Sequence, residues 1–490
     1  MPGTSPVAAA PDLWEPLRRL LGDGLRTSPV ELAPYELDGG GLIRKLPGAV
    51  ARPRSAADVA AILRVATAEN IPVTARGGGI TTEGESLTRA GLVLDLKALN
   101  HVLEIAPDRQ SAVVEAGCYW NSVNEALRPH GLTYCGAPLN LTSSVGGTLC
   151  VGGVDVNAFR YGCSADQVLE LEVVLPTGDI VRCSYTLDKP LFDEILFGYG
   201  QLGVITKARI RVRPYHDVAL RYYLYDDVAR AIEDMTRCVQ DDTVDYVAVL
   251  SVMDRVFCQL VAFDTQDQEA LHAAKTLPAL HPIPEAWFMV RSALRYAVRP
   301  HRWSEALYLK TRHAKLIEGV RDPRYMRNGR IMDRTVPFSR LIWRYWGGTV
   351  VAIPDLSLTM ARFAEGARRG IEVCKRFFPH FSLYCVYIRN FKHRERYALS
   401  PIPLVDDPWI GGIEFSPLLE PGEEYPPEHF QKFKEAIYDV GVDLGSRAYR
   451  FGGALKHYFP KLYGPDAVPR LRALKAKYDP SGILNPEVLL

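Results

Sequence analysis

Two glycine-rich loops carry the residues of this chain best suited to hold a large polar ligand. Pro72 to Arg76 reads as a short strand, and Gly77-Gly78-Gly79-Ile80-Thr81-Thr82 follows it. The second loop, Leu141 to Gly153, is rich in Ser, Thr and Gly. It leads into two β-branched runs, Val168 to Leu175 and Ile180 to Ser184, joined by the turn Pro176-Thr177-Gly178-Asp179. Glycine lets backbone approach a ligand closely, and consecutive N–H groups in such loops form anion-binding concavities. Two of them in one segment suggest an extended, phosphate-bearing cofactor held largely by backbone.

Other chemistry-bearing residues are sparser. Tyr387 and Arg389 alternate onto one face of the strand-like run LYCVYIRN, and Glu414 is the carboxylate inside the apolar run IGGIEF. Lys456 shares the face of Tyr458 on the tail strand GALKHYF. These five are the catalytic candidates. No metal site is expected: the 11 His show no H-E-x-x-H, and the nine Cys show no C-x-x-C or iron–sulfur spacing. Gly198-Tyr199-Gly200-Gln201-Leu202-Gly203 fits the dinucleotide pattern G-x-G-x-x-G, but a helix-like segment precedes it and the strand Val204 to Val212 follows. That order is the reverse of the Rossmann unit, and no nicotinamide site is expected.

The elements that must position these groups fall into two textures. Up to about Pro214, strands and helices mix at short spacing: a leader helix Asp12 to Leu21, a helix Ser55 to Glu69 with Ser55 as N-cap, strands at Leu92 to Asp95, Val102 to Ile105 and Ser111 to Glu115, and a helix Trp120 to His130 ending at Gly131. Beyond it, strands are expected at Tyr222 to Tyr225, Tyr246 to Val252, Val256 to Phe263, Thr349 to Ile353, Leu383 to Arg389 and Ile410 to Phe415, with helices Val228 to Val239 and Ser357 to Phe378. The net charge of +1 gives no pull toward nucleic acid, and the Arg321 to Arg334 stretch reads as a solvated loop, with an anionic-ligand or surface-docking patch as the alternative. No run approaches the ~20 apolar residues of a membrane span, and the N-terminus lacks a secretory signal pattern, so a cytoplasmic location with reduced thiols is expected.

The order of the motifs PGAVARPRSAADVAAIL, PVTARGGG, VGGTL with NAFRYG, GQLGVITKARIRVRP and YDPSGILNP resembles the vanillyl-alcohol-oxidase-like (PCMH-type) FAD-binding flavoproteins. Among subfamilies, VGGTLCVGGVDVNAFRYG is most similar to the loop of cytokinin dehydrogenases. The resemblance implies an α+β fold: a PCMH-type FAD-binding domain of two α/β subdomains with an antiparallel-sheet cap. Expected boundaries are 1–42 for a leader and linker, 43–214 for the FAD domain, 215–440 for the substrate cap and 441–490 for a tail returning to the FAD domain. Carried over position by position, Ala75, Gly77, Gly78, Gly79, Ile80, Thr81 and Glu85 match the pyrophosphate loop. Leu139, Ser144, Gly146, Gly147, Cys150 and Val154 match the flavin-lining loop, Val204 and Ile205 run past the adenine, and Tyr458 and Asn485 approach the isoalloxazine and ribityl chain.

Three departures shape the functional expectation. Covalent members carry a His where Ile80 stands, and doubly linked members add a Cys where Thr142 stands; neither residue here can bond the flavin, so FAD is expected to be non-covalent. Cytokinin dehydrogenases place a proton-accepting Asp at Leu139, so that specific activity is not expected. The implied function is an FAD-dependent oxidoreductase moving hydride from a C–H of a small or mid-sized, largely apolar organic substrate to flavin N5. Molecular oxygen or another diffusible acceptor would take the electrons, the small residues Cys150 to Gly153 leaving room for oxygen. A flavin-dependent C=C reductase and a catalytically degenerate flavin scaffold are the alternatives.

Overall fold

The computed structural model describes residues 13–136, 138, 141–154, 157–215, 218–225, 227–242, 244–253, 256–264, 317–318, 354–378, 381–390, 409–418, 424–449 and 452–489. Leu139, the Arg321–Arg334 stretch and the strand expected at Thr349–Ile353 lie outside the described residues.

The first subdomain forms where short apolar runs are buried on both faces. Strands β2 (Ala49–Ala51), β3 (Val73–Arg76) and β4 (Leu92–Asp95) are parallel, with β4 between the others and the short β1 (Leu25–Arg26) antiparallel on the β2 edge. Every residue of β4 is buried, as a parallel strand covered on both sides requires. The helix α2 (Ala56–Ala68) crosses this sheet with Val59, Ile62 and Leu63 inward, after α1 (Glu15–Leu21). Ser55 caps α2 as expected, its Oγ accepting from the Asp58 N–H at 3.1 Å.

The second subdomain is an antiparallel sheet ordered β5 (Val102–Ala106), β6 (Ser111–Glu115), β10 (Val204–Pro214), β8 (Val168–Val174) and β9 (Ile180–Ser184), with β7 (Leu132–Tyr134) paired to the end of β10. Helices α3 (Trp120–Leu127), α4 (Val145–Val151) and α5 (Lys189–Ile195) flank it. The segment read as one loop from Leu141 to Gly153 thus contains two turns of helix. The chain leaves α3 through Gly131 at φ +65°, a left-handed turn that Gly tolerates.

The third layer is a seven-stranded sheet ordered β14 (Ile317–Glu318), β11 (Val218–Tyr225), β13 (Val256–Asp264), β12 (Val244–Met253), β16 (Phe381–Asn390), β17 (Trp409–Leu418) and β15 (Asp355–Thr359), antiparallel wherever strands pair. Helices α6 (Val228–Cys238), α7 (Met360–Phe377) and α8 (Pro427–Leu444) bury their apolar faces with it. Glycines set the closeness of α7: a Cβ at Gly366 or Gly370 would overlap Leu358 or Phe415.

Three sequence expectations need correction here. The helix read from Ser357 begins at Met360, because Ser357–Thr359 complete β15 and Ser357 exchanges backbone hydrogen bonds with Arg447. Helix α8 was not anticipated. GALKHYF is not a strand: Gly453–Tyr458 forms a 3₁₀ turn that runs into a helix at Phe459–Tyr463. Gly452 abuts the Glu83 backbone so closely that a Cβ would overlap it, and the chain curls rather than extends. After α9 (Ala467–Tyr478), the tail enters three cores at once. Ile483 and Leu484 join the first subdomain, Leu474 and Tyr478 the second, and Val488 and Leu489 the cap.

Candidate functional site

The first loop is braced from beneath. Arg76, at the end of β3, is buried and donates to the carbonyl oxygens of Leu37 (2.8 Å), Tyr35 (3.4 Å) and Ser86 (3.4 Å). Gly79 takes φ +65° directly over that guanidinium, leaving no room for a side chain. Gly39 and Gly40 run under Ile80 and Thr82, and the Gly40 N–H donates to the Thr81 carbonyl at 3.2 Å. The Gly39-Gly40-Gly41 connection is therefore part of the site, a role sequence reasoning missed. Asp38 fixes it by accepting from the N–H groups of Gly40, Gly41 and Gly84.

The two loops meet. A Cβ on Gly77 would overlap the Ser144 hydroxyl, and one on Gly78 would lie 3.1 Å from the Thr142 carbonyl. Ser144 stands at the start of α4, where Val145 and Gly146 donate to the carbonyls of Cys118 and Ala116, each at 2.8 Å. Gly146 is pressed on Ala116, and Gly147 lies beside the Ser144 hydroxyl. The structure thus brings Gly77, Gly78, Ser144, Gly146 and Gly147 together. Ala75 and Arg76 bring β3 to the loop, and Ile80 is partly exposed on the loop itself. Thr81 is held by the Ser86 hydroxyl at 3.0 Å.

At the far end of α4, the Cys150 and Leu149 carbonyls accept from Tyr199 (2.9 Å) and Phe197 (3.3 Å). Burial pushes the Cys150 thiol up to about 12, so it stays protonated. A side chain at Gly152 would strike the Phe197 ring, and one at Gly153 would strike Thr148 and Ser164. The smallness of this stretch is therefore accounted for by packing, and gives no support to an oxygen path. Val154 is buried in the second subdomain core. Val204 and Ile205 point into different apolar clusters on opposite sides of β10.

The tail closes the site. Asn485 sits at φ +41°, its N–H donating to the Val73 carbonyl (2.9 Å) and its Nδ2 to the Tyr199 carbonyl (2.8 Å). Gln201 donates from Nε2 to the Asn485 carbonyl at 2.6 Å. Asn485 therefore joins both subdomains where the loops meet. The turn Gly198–Gly203 has α5 before it and β10 after it, as the sequence indicated.

Carboxylates gather on the cap side. Glu85 accepts from the Glu83 N–H at 3.0 Å, and burial, reinforced by Glu83, raises its pKa to about 8. Glu83 itself pairs with Lys434 of α8 at 2.5 Å, with side chains 1% and 5% exposed. This bolt between the segment after the first glycine loop and helix α8 was not legible in sequence. Of the five catalytic candidates, Tyr387 and Arg389 lie buried together on β16, as alternation implied. Glu414 is partly exposed on β17, opposite Asp355 and Cys385. Lys456 and Tyr458 do not share a strand face: Lys456 is exposed, whereas Tyr458 is buried and donates to Asp439 at 2.7 Å. Burial and that carboxylate together push the Tyr458 hydroxyl well above its usual range.

Whether FAD fits can be judged from unmet polar atoms. Buried polar groups are normally partnered, yet Thr82 Oγ1, Asn157 Oδ1, Ser164 Oγ, Gln201 Oε1 and Asn485 Oδ1 have no partner. All five lie on or beside the two loops and the tail, and a ligand rich in hydroxyl and N–H donors would satisfy them.

Residues 47–184 match the model of an FAD binding domain, and residues 451–489 match the C-terminal domain of FAD-linked oxidases. The class is an FAD-binding flavoprotein assembled from both ends of the chain. The chain thus carries an FAD binding domain similar to that of the PCMH-type flavoproteins, and part of it is similar to cytokinin dehydrogenases and to FAD-linked oxidoreductases. It is 36% identical over 223 residues to cytokinin dehydrogenase 1 of Oryza sativa subsp. japonica, covering 43% of this chain and 41% of that one. An uncharacterised oxidoreductase of the Rhodococcoides fascians fasciation locus is 34% identical over 222 residues, covering 45% of this chain and 50% of its own length. These matches thus span half or less of those relatives. An uncharacterised FAD-linked oxidoreductase of Mycobacterium tuberculosis aligns over 90% of this chain and 91% of its own, at 24% identity. A solved alkyldihydroxyacetonephosphate synthase shares the fold, with a TM-score of 0.65 at 14% identity, over 98% of this chain and 85% of that one.

Proposed function

We propose that this protein binds FAD non-covalently and oxidises a small or mid-sized, largely apolar organic substrate, passing electrons to molecular oxygen or another diffusible acceptor. The observation that carries the reading is the contact of two glycine loops at Gly77 and Ser144, together with the unpartnered buried atoms of Thr82, Asn157, Ser164, Gln201 and Asn485 on or next to those loops and the tail. FAD would supply the hydride-accepting ring. The backbone of Gly77–Gly79 and Gly146–Gly147 would hold its phosphates and ring, while Asn485 and Gln201 would accept from its hydroxyls. Ile80 and Thr142 offer no nucleophile for attachment, which supports free rather than tethered cofactor.

Buried polar groups of the cap and tail would be available to orient a substrate. Tyr458 donates its O–H hydrogen bond to Asp439, leaving oxygen lone pairs to accept from a substrate. Tyr387 and Arg389 line the underside of the cap sheet. A cytoplasmic location remains part of the proposal; no helix among the described residues is long and apolar enough to cross a membrane.

Acid precipitation of the purified yellow protein tests attachment: all colour should enter the supernatant, and colour in the pellet overturns the non-covalent reading. Anaerobic bleaching by candidate substrates then separates an oxidative enzyme from the C=C reductase and from an inert scaffold. Stopped-flow mixing of photoreduced protein with air-saturated buffer tests the acceptor, since reoxidation over many minutes without peroxide would exclude oxygen.

A further inference from the structure

Among the described residues, Arg389 is buried with no carboxylate in hydrogen-bond or ion-pair contact. It is 0% exposed on β16, between β12 and β17 in the cap sheet. Its Nη2 donates to the Tyr387 hydroxyl, its Nη1 reaches the Ser357 hydroxyl only at 3.5 Å, and its Nε has no partner. Among the described residues, none of its partners is a carboxylate, and the charge lies instead over the rings of Tyr387 (4.3 Å) and Tyr449 (5.1 Å). The other deeply buried guanidiniums are differently served. Arg76 meets three backbone carbonyls, and Arg213 meets Asp245 at 3.0 Å. Burying an unpaired charge is costly, and arginine's fixed fork suits a carboxylate better than a hydroxyl.

Its position points toward the flavin loop. Tyr387 and Tyr449 belong to the apolar cluster that contains Leu149 and Phe197, and the Tyr449 carbonyl accepts from Tyr199, whose N–H is bonded to Cys150. Gly412, across the ladder from Tyr387, lets the Tyr387 ring and the Arg389 guanidinium pack directly on its backbone, where a Cβ would collide with both.

We infer that Arg389 is the substrate's anion anchor: the otherwise apolar substrate carries a carboxylate, which displaces the Tyr387 hydroxyl and pairs with the guanidinium. This rests on the proposed flavin-dependent reading and adds the charge of its substrate. No bond is made or broken in the step; the Tyr387 hydroxyl holds the anion's place until substrate enters.

The test compares acids with their uncharged analogues. FAD-loaded protein is titrated with benzoate, cinnamate and octanoate, with the matching amides, and with inorganic phosphate, reading flavin difference spectra and calorimetric heat. At least one carboxylate should bind about tenfold or more tighter than its amide. Arg389→Met should abolish that preference at unchanged flavin content, Arg389→Lys should keep part of it, and Tyr387→Phe should keep or strengthen it. Equal binding of acid and amide, no binding of any of the three carboxylates, tighter binding of phosphate than of any carboxylate, or an unchanged preference in Arg389→Met would each overturn the assignment. If Arg389→Met fails to fold, the Arg389→Lys and Tyr387→Phe results decide it. A protein that purifies colourless sinks the flavin reading instead, and the calorimetric comparison still judges Arg389.

Discussion

Removing Lys434 should loosen the cap from the flavin loop by a measurable amount. Its ammonium lies 2.5 Å from Glu83, both side chains are almost fully buried, and the second Glu83 oxygen has no partner. Lys434→Met therefore leaves a carboxylate buried with nothing to neutralise it, a change that costs about 3–5 kcal/mol. Unfolding entropy of about 2.1 cal/mol/K per residue makes 1 kcal/mol worth about 1 °C for a chain of this length melting as one unit. The melting midpoint should accordingly fall by about 3–5 °C, and further if the cap melts separately. Replacing both partners, Lys434→Met with Glu83→Met, should recover most of the loss, because an apolar pair of similar volume carries no unpaired charge. Differential scanning calorimetry of wild type, both single variants and the double variant completes the cycle. Added salt should leave the single-variant loss nearly unchanged, since a buried pair is poorly screened. A Lys434→Met midpoint equal to wild type, or a double variant as unstable as the single, would refute the reasoning.

Other outcomes follow from the same site. Glu85 has its folded-state pKa raised by burial from 4.5 to about 8, so the folded protein keeps a proton that the unfolded chain has lost. Stability of the flavin-free protein should then fall as pH rises from about 4.5 to 8, by up to about 1.4 kcal/mol per pH unit, and Glu85→Gln should flatten that slope in melts taken at several pH values. Gly77→Ala should cut the FAD-to-protein ratio severalfold by driving a methyl group into Ser144, and adding Ser144→Gly should restore part of it. Gly146→Ala, pressed on Ala116, should cost about 1–3 kcal/mol by overpacking and lower flavin content without altering helix content.

What could be read in advance follows how local the cause is. Ser55 and the α2 pattern, the apolar run Leu92–Leu94 of β4 and the glycine at 131 each act within a few residues, and each stands where the sequence put it. The glycine loops were legible because few other roles demand three consecutive glycines after a strand. Alternation on β16 placed Tyr387 and Arg389 on one face. The same rule failed at GALKHYF, where the Gly452 contact with distant Glu83 overrides local preference. The Lys434–Glu83 pair spans 351 positions, and nothing in either neighbourhood announces the other. Asp38 and Gly39–Gly41 were read as a linker because their partners, Ile80 to Gly84, lie some forty residues on.

The tail has a consequence for how the protein is made. Asn485 completes the junction that begins at Val73, so the two halves of the cofactor site leave the ribosome about 400 residues apart. At about 5–20 residues per second, the glycine loops wait roughly 20–80 s for the segment that closes them. A flavin held by both loops and Asn485 would be captured only after residue 485 has emerged, and a chain terminated before that point would be colourless. During that interval β3 presents the Val73 carbonyl and amide that Ile483 and Asn485 later occupy, an open edge that a chaperone or a second nascent chain can engage first.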